Sequence, residues 1–206
     1  MKKKPIVVSM GEPSGISSEI ILKSWKQRHK YKLYPFFIVD NIQKIKKMIN
    51  YLGLNIETQM INDPCETNEF FNYKLPVINI GEKIEFELGK PNKKNSEIIL
   101  KSIKKSFDFL SNKKALGLLT LPVCKRTLKI SGFKFNGQTE LIGDLSKRKF
   151  RHKNDEIMIL STTKPADKGK NLIVGLVTTH IPLKNIFSFL TKKKIEEKLL
   201  IFRDSL

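Results

Sequence analysis

The chain has 206 residues, 40% of them hydrophobic, enough for one α/β core or for one domain and part of a second. Its formal net charge of +19 raises nucleic acid or an anionic membrane as a partner, but the lysines are scattered in short pieces from Lys2 to Lys194, and Lys, Ile and Asn are all abundant, as A/T-rich coding would make them. Solvated lysine faces explain this pattern; a nucleic-acid partner is not expected, and a basic field would still draw in a phosphorylated small molecule. Cys65 and Cys124 lack disulfide-framework or zinc-site spacing and are expected to be reduced thiols of a cytoplasmic protein. The apolar run Ile6 to Met10 is too short for a signal peptide core, and nothing approaches the roughly 20 apolar residues of a membrane span.

Ile6 to Met10 reads as a strand buried on both faces. The turn Gly11-Glu12-Pro13-Ser14-Gly15 follows, then a helix to about Gln27 with Ser17-Ser18 as its cap and Ile20, Ile21 and Trp25 inward. Tyr34 to Val39 is a second strand. Ile42, Ile45, Met48, Ile49 and Leu52 mark a helix that Gly53 ends. Short strands are expected at Glu57 to Ile61 and Val77 to Ile80, on either side of a polar loop from Asn62 to Asn72. Ile99, Ile103, Phe107 and Leu110 give a long amphipathic helix from Ser96, and Ala115 to Leu121 a further buried strand.

Beyond Pro122 the pattern resets, which divides the chain into a first α/β domain, 1–122, and a partial second one, 123–206. A short helix near Lys125 to Lys129, a turn from Ser131 to Gly137 and a helix from about Thr139 to Ser146 come first. Strands at Glu156 to Ser161 and Leu172 to Val177 then flank a polar turn, and a helix spans Leu183 to Leu190. Ile195, Leu199, Leu200, Phe202 and Leu206 trace a last amphipathic helix without a stop signal.

Three places carry groups suited to chemistry. The Gly11 to Gly15 turn joins a buried strand to a helix, where backbone amides receive anions, although a plain structural turn has the same look; it is neither a Walker loop nor a GxGxxG fingerprint. Gln138 and Thr139 open a helix, where amide and hydroxyl suit phosphate or hydroxyl oxygens, or where Thr139 simply caps. His180 follows a buried strand, at the sheet edge where ligands bind in open α/β folds, and fits a metal ligand, an acid/base or a hydrogen-bonded loop residue. His29 and His152 sit in lysine-rich polar segments and read as surface groups.

These fragments occur in a recognisable order. Gly11 to Ile16 resembles the GDPAGIG-type turn of the 4-hydroxythreonine-4-phosphate dehydrogenase family, and Gly89-Lys90-Pro91 its GKPS segment. Thr120 to Lys125 is similar to TAPINK, Gly137-Gln138-Thr139-Glu140 to GHTEF, and Val177 to Leu183 to VTTHIPL. The resemblance implies a three-layer α/β/α fold like that of isocitrate and isopropylmalate dehydrogenases, in keeping with the missing GxGxxG. It implies oxidation of 4-phosphohydroxy-L-threonine with NAD or NADP, followed by decarboxylation to 3-amino-2-oxopropyl phosphate, in vitamin B6 biosynthesis. It further implies a divalent metal (zinc, magnesium or cobalt) with His180 as one of three histidine ligands, and Gln138 and Thr139 at substrate-contacting positions. Gln138 stands where the family pattern has histidine, so hydrogen bonding is kept and acid/base capacity is lost. Lys125 matches a lysine near the cleft, without an assigned role. Family chains continue past the equivalent of Leu206 with the other two metal histidines and more of the substrate and cofactor contacts, and they form homodimers. The expectation is therefore an incomplete or split chain with a truncated second domain, weak in metal on its own, and paired with a second copy or a complementing C-terminal half. The alternative is a catalytically dead basic protein that keeps the scaffold and touches nucleic acid.

Overall fold

A computed structural model describes residues 3–81, 83–151, 156–165, 168–169, 171–179 and 181–205. His180, His152 and Leu206, named above, lie outside the described residues, as does part of the polar turn after residue 164. The chain divides into two compact units, Met1–Leu145 and Ser146–Leu206.

The first unit is built on a parallel sheet of five strands, β1 (Ile6–Ser9), β2 (Phe36–Asp40), β3 (Thr58–Met60), β4 (Leu75–Asn79) and β5 (Gly117–Thr120), in the order β3-β4-β2-β1-β5. The central register sets Val8 beside Ile38 on one side and Leu119 on the other. Side chains alternate across a strand, and here both faces are covered. Val8, Phe36 and Ile38 pack against α1 (Ser17–Lys26) and α2 (Ile42–Tyr51), while Val7, Phe37 and Val39 meet Phe109 of α4 (Ser96–Ser111) or its neighbours. Helices on both faces make the three layers of an α/β/α unit, and the apolar strand runs are the consequence of that double burial.

The helices follow their apolar spacing except at Ile20, expected inward but 38% exposed, while Leu22 turns to the core beside Ile21 and Trp25. Leu22, Ile45, Ile99 and Ile103 are fully buried, each contributing about 1.5–3 kcal/mol of transfer free energy. Gly53 adopts φ +60° after α2, and the amide of Leu54 returns to the carbonyl of Ile49 at 3.0 Å, the close expected of a glycine-terminated helix. The start of α1 departs from expectation. Ile16, not a serine, is its N-cap, and no side chain caps it; Ser17 is the first helical residue and sends its hydroxyl to the carbonyl of Pro122, 2.7 Å away.

The segment read as a polar loop contains a 3₁₀ turn, Pro64–Glu66, and a short helix α3 (Thr67–Phe70). Asp63 and Glu66 form a reciprocal capping box there, held by polar side chains with no apolar periodicity to signal it. After β5 come α5 (Lys125–Ile130) and α6 (Gln138–Phe150). Leu128 and Leu141 join Met10, Ile80 and Ile99 in one buried cluster, so the first compact unit includes these residues beyond 122.

The second unit holds an antiparallel pair, β6 (Met158–Ser161) and β7 (Ile173–Leu176), a short helix α7 (Ile186–Phe189) and the terminal helix α8 (Lys192–Ser205). Among the described residues no helix is long and apolar enough to cross a membrane.

Candidate functional site

The carboxyl ends of β1 and β5 converge on one small region. After β1 the chain must pass close to the strand that follows β5, and Gly11 permits it: a Cβ there would lie 2.2 Å from Ser17 Oγ and 2.4 Å from the Pro122 carbonyl. The amide of Glu12 donates to that same carbonyl at 2.8 Å, and the turn closes through the Gly15 amide on the Glu12 carbonyl at 3.1 Å. The Gly89 amide donates to the Ser14 carbonyl at 2.8 Å, which brings the Gly89-Lys90-Pro91 segment onto the turn. Gly89 takes φ +79° to do so.

From the other side, the side-chain amide of Gln138 donates to the Leu121 carbonyl at 3.1 Å. Lys125 Nζ lies 3.7 Å from where a Cβ on Gly137 would stand. The turn 11–15, the segments 89–91 and 120–125, and the helix start 137–140 are therefore one constellation at the carboxyl edge of a parallel sheet, where open α/β folds bind ligands. Gln138 is half-buried and Thr139 exposed; α6 begins at Gln138, so Thr139 stands inside the first turn and does not cap it. The fifth motif follows β7 in the second unit, with His180 outside the described residues.

Glu12 is 4% exposed. One carboxylate oxygen accepts from the Ser14 amide at 3.2 Å, and the other has no hydrogen-bond partner among the described residues. Burial pushes this carboxyl's pKa up, opposed by the Ser14 amide and by the positive charge of Lys44. Lys44 is itself buried, paired with Asp40 at 2.7 Å with both side chains at most 2% exposed. Asp40 also accepts from the Asn41 amide at 2.6 Å; desolvation raises its pKa against the pull of Lys44. Cys124, just before α5, has its thiol drawn below the ordinary value, chiefly by hydrogen bonds from Thr127.

A groove of about 580 Å³ opens between residues 85–93 and α5, lined among others by Phe86, Lys90, Asn92, Lys93, Thr127 and Ile130. Lys90 and Glu87 pair across its rim at 2.6 Å. Ser96 Oγ donates to the Thr127 carbonyl at 3.4 Å and accepts from Ser131 Oγ at 2.9 Å, fixing α5 against the start of α4.

The buried Asp40–Lys44 pair and the buried Glu12 are the polar features that sequence reasoning missed. The signal for the pair was present: an aspartate at the end of an apolar strand, an Asn cap, and a lysine at the next helical turn. Among the described residues no three His, Cys, Asp or Glu side chains gather as metal ligands.

Known proteins resemble the chain over most of its length. The model of the family described as "Pyridoxal phosphate biosynthetic protein PdxA" matches residues 32–206. A 4-hydroxythreonine-4-phosphate dehydrogenase of Zymomonas mobilis is 33% identical over 192 residues, covering 93% of this chain and 53% of the relative. One from Sulfurihydrogenibium is 30% identical over 196 residues, covering 94% and 55%. Among solved structures, the 4-hydroxythreonine-4-phosphate dehydrogenase of Klebsiella pneumoniae superposes with a TM-score of 0.77 at 22% identity, over 95% of this chain and 57% of that one. That of Burkholderia phymatum gives 0.76 at 19%, over 96% and 57%. The structural likeness fixes an α/β fold with a parallel sheet and flanking helices. This chain spans about half the length of the curated relatives it matches. By the family model and the ordered motifs together, the chain belongs to the pyridoxal phosphate biosynthetic protein PdxA family.

Proposed function

We propose that this chain supplies one half of a 4-hydroxythreonine-4-phosphate dehydrogenase of vitamin B6 biosynthesis, an enzyme that oxidises the secondary alcohol of 4-phosphohydroxy-L-threonine and lets the resulting β-keto acid lose CO2. The observation that carries this reading is the gathering of four of the five family motifs at the carboxyl edge of the sheet, through Gly89 on Ser14, Glu12 on Pro122, and Gln138 on Leu121.

In this reading Gln138 and Thr139 bind the substrate's polar groups from the start of α6, where the amide and hydroxyl act as fixed hydrogen-bonding groups. The positive end of α6 and the ammonium of Lys125 favour the anionic substrate. Glu12, buried under the turn, holds the turn in place. The Gln138 amide has no proton that it can give up or take on near neutral pH, so this position orients and does not act as acid or base.

NAD or NADP would accept the hydride, and a divalent metal would stabilise developing oxyanion charge. The described residues do not by themselves make a metal site; His180 is proposed as one ligand that groups outside this chain's described residues complete. The fold is proposed to be that of the isocitrate and isopropylmalate dehydrogenases, with 1–122 the first domain and 123–206 the beginning of a second. A homodimer is proposed for the completed enzyme, and the cytoplasm as its place.

The test is genetic. A bacterium that requires pyridoxine because it lacks this dehydrogenase is given this chain together with the portion of the Zymomonas mobilis relative that the match leaves out. Growth without pyridoxine with both pieces, and none with either alone, supports the reading. No growth with both pieces present as stable protein contradicts it.

A further inference from the structure

Exposed charge is unevenly divided between the layers of the first unit. From Ile20 to Ile56, through α1, the turn to β2, β2 itself and α2, the one acidic residue is Asp40, which is buried in its pair with Lys44. The whole chain has 20 acidic side chains to 39 basic ones, so a layer with no exposed acid departs from the chain's own composition. Two of the layer's cations are engaged. Lys23 pairs with Glu19 at 2.5 Å, and Arg28 lies 3.5 Å over the Trp25 ring and donates to the Asn72 carbonyl. Lys26, Lys30, Lys32, Lys46 and Lys47 are exposed and have no ion pair among the described residues.

The helices α1 and α2 cover one face of the sheet together, both packing on the cluster around Val8 and Ile38. Each runs back against the parallel strands, so both carboxyl ends and the turn 27–35 meet at the amino edge of the sheet. The two helix ends bring about half a negative charge each, little beside five ammonium groups. Tyr31, 59% exposed, and Tyr51, 70% exposed, stand at the same edge. Packed helix axes lie roughly 8–10 Å apart, so both rings border one basic surface. A membrane surface would need an exposed apolar face. Here Ile21, Leu22, Trp25, Ile45, Met48 and Ile49 turn into the core, which leaves Ile20 as the one exposed aliphatic side chain of the two helices. A nucleic-acid duplex hides the faces of its bases. A single strand offers those faces to tyrosine rings and its phosphates to lysines.

We propose that the outer face of α1 and α2, with the turn 27–35, binds single-stranded nucleic acid, its phosphates on the five free lysines and its bases stacked on Tyr31 and Tyr51. Along the chain these lysines look like all the others; the fold gathers them. The inference does not rest on the dehydrogenase reading, whose motifs gather at the carboxyl edge of the sheet.

The test titrates the full 206-residue chain into a fluorescent oligothymidylate of about 20 nucleotides and reads anisotropy. Saturable binding is expected, weakening about fifty-fold between about 50 and 200 mM salt, the slope for about four neutralised phosphates on a single strand. Lys46→Glu with Lys47→Glu, and separately Lys26→Gln with Lys30→Gln, should each weaken it about tenfold. Lys104→Glu with Lys105→Glu, on α4 across the sheet, should change it by about twofold at most. Tyr31→Ala with Tyr51→Ala should weaken it about tenfold and leave the salt slope as it was, because stacking is not ionic. Circular dichroism and urea midpoints unchanged from the parent show that each variant is folded. No saturable binding at the lower salt would overturn the proposal, as would an equal loss from the α4 pair or no loss from the tyrosine pair. Equal affinity for a duplex of the same length, or binding to phosphatidylserine vesicles and not to the oligonucleotide, would overturn it as well.

Discussion

The side-chain amide of Gln138 donates to the backbone carbonyl of Leu121 across 3.1 Å, joining the start of α6 to the end of β5. The tie fixes the position that the family pattern fills with histidine, while the amide's own oxygen is buried without a partner among the described residues. Gln138→Ala should therefore cost only about 1 kcal/mol of stability, the worth of one hydrogen bond. In the completed enzyme it should lower kcat/KM on the order of 100-fold, because misplaced substrate groups are that expensive. Urea unfolding and steady-state kinetics on the same variant separate the two effects.

Gly11 and Gly15 sit in one turn with opposite tolerance. A Cβ on Gly11 meets a backbone carbonyl at 2.4 Å, whereas on Gly15 its nearest neighbour is at 3.4 Å, an ordinary contact. Gly11→Ala should destabilise by about 1–3 kcal/mol or more through overpacking. Gly15→Ala should stay within about 1 kcal/mol of the parent. Urea midpoints followed by Trp25 fluorescence decide it.

Asp40→Ala leaves the Lys44 ammonium buried without its 2.7 Å partner, and such losses cost about 3–5 kcal/mol. Asp40→Leu combined with Lys44→Met removes both charges and should recover most of that. A double variant no more stable than the single one would show that the pair is needed for its own sake.

Two carboxyls bend the pH dependence in opposite directions. Asp63 is held at about 2 by the Cys65 amide and by Lys114. Its folded pKa is below the ordinary value of 3.8, so its contribution is present above 3.8 and is lost as pH falls toward 2. The ion pair with Lys114 is half-exposed, so the effect is small and falls with salt. Glu12 is shifted upward from 4.5 by burial, so its contribution is full below 4.5 and is lost as pH rises through the higher folded value. Glu12→Gln should thus remove the fall in stability that sets in as pH rises above 4.5, and Asp63→Asn should flatten only the fall below 3.8. Thermal midpoints across pH read both.

The strands and the long helices were legible because they rest on short-range periodicity: Ile6 to Ser9, the α2 stripe with Gly53 after it, and the Ile99, Ile103, Phe107 repeat all lie where pattern places them. What escaped depends on distant contacts. Ser17 looks like a cap, yet its hydroxyl goes to Pro122, 105 residues away. Lys44 belongs by pattern on the wet face of α2 and is drawn inward by Asp40 at the strand end. The 63–70 segment folds through an Asp63–Glu66 capping box that apolar spacing cannot reveal. Motif order singled out Gln138 and Thr139 as candidates, but their helix boundary and the inward bond of Gln138 needed three dimensions.

Nicotinamide absorbance shows whether this chain is half of a dehydrogenase. This chain, combined with the portion of the Zymomonas mobilis relative that the match leaves out, is given 4-phosphohydroxy-L-threonine, NAD or NADP, and a divalent metal. The combined pieces should form reduced cofactor and release CO2 in a substrate-dependent way, and neither piece alone should do so. A demonstrated complex of the two that leaves both cofactors oxidised with each of zinc, magnesium and cobalt would contradict it.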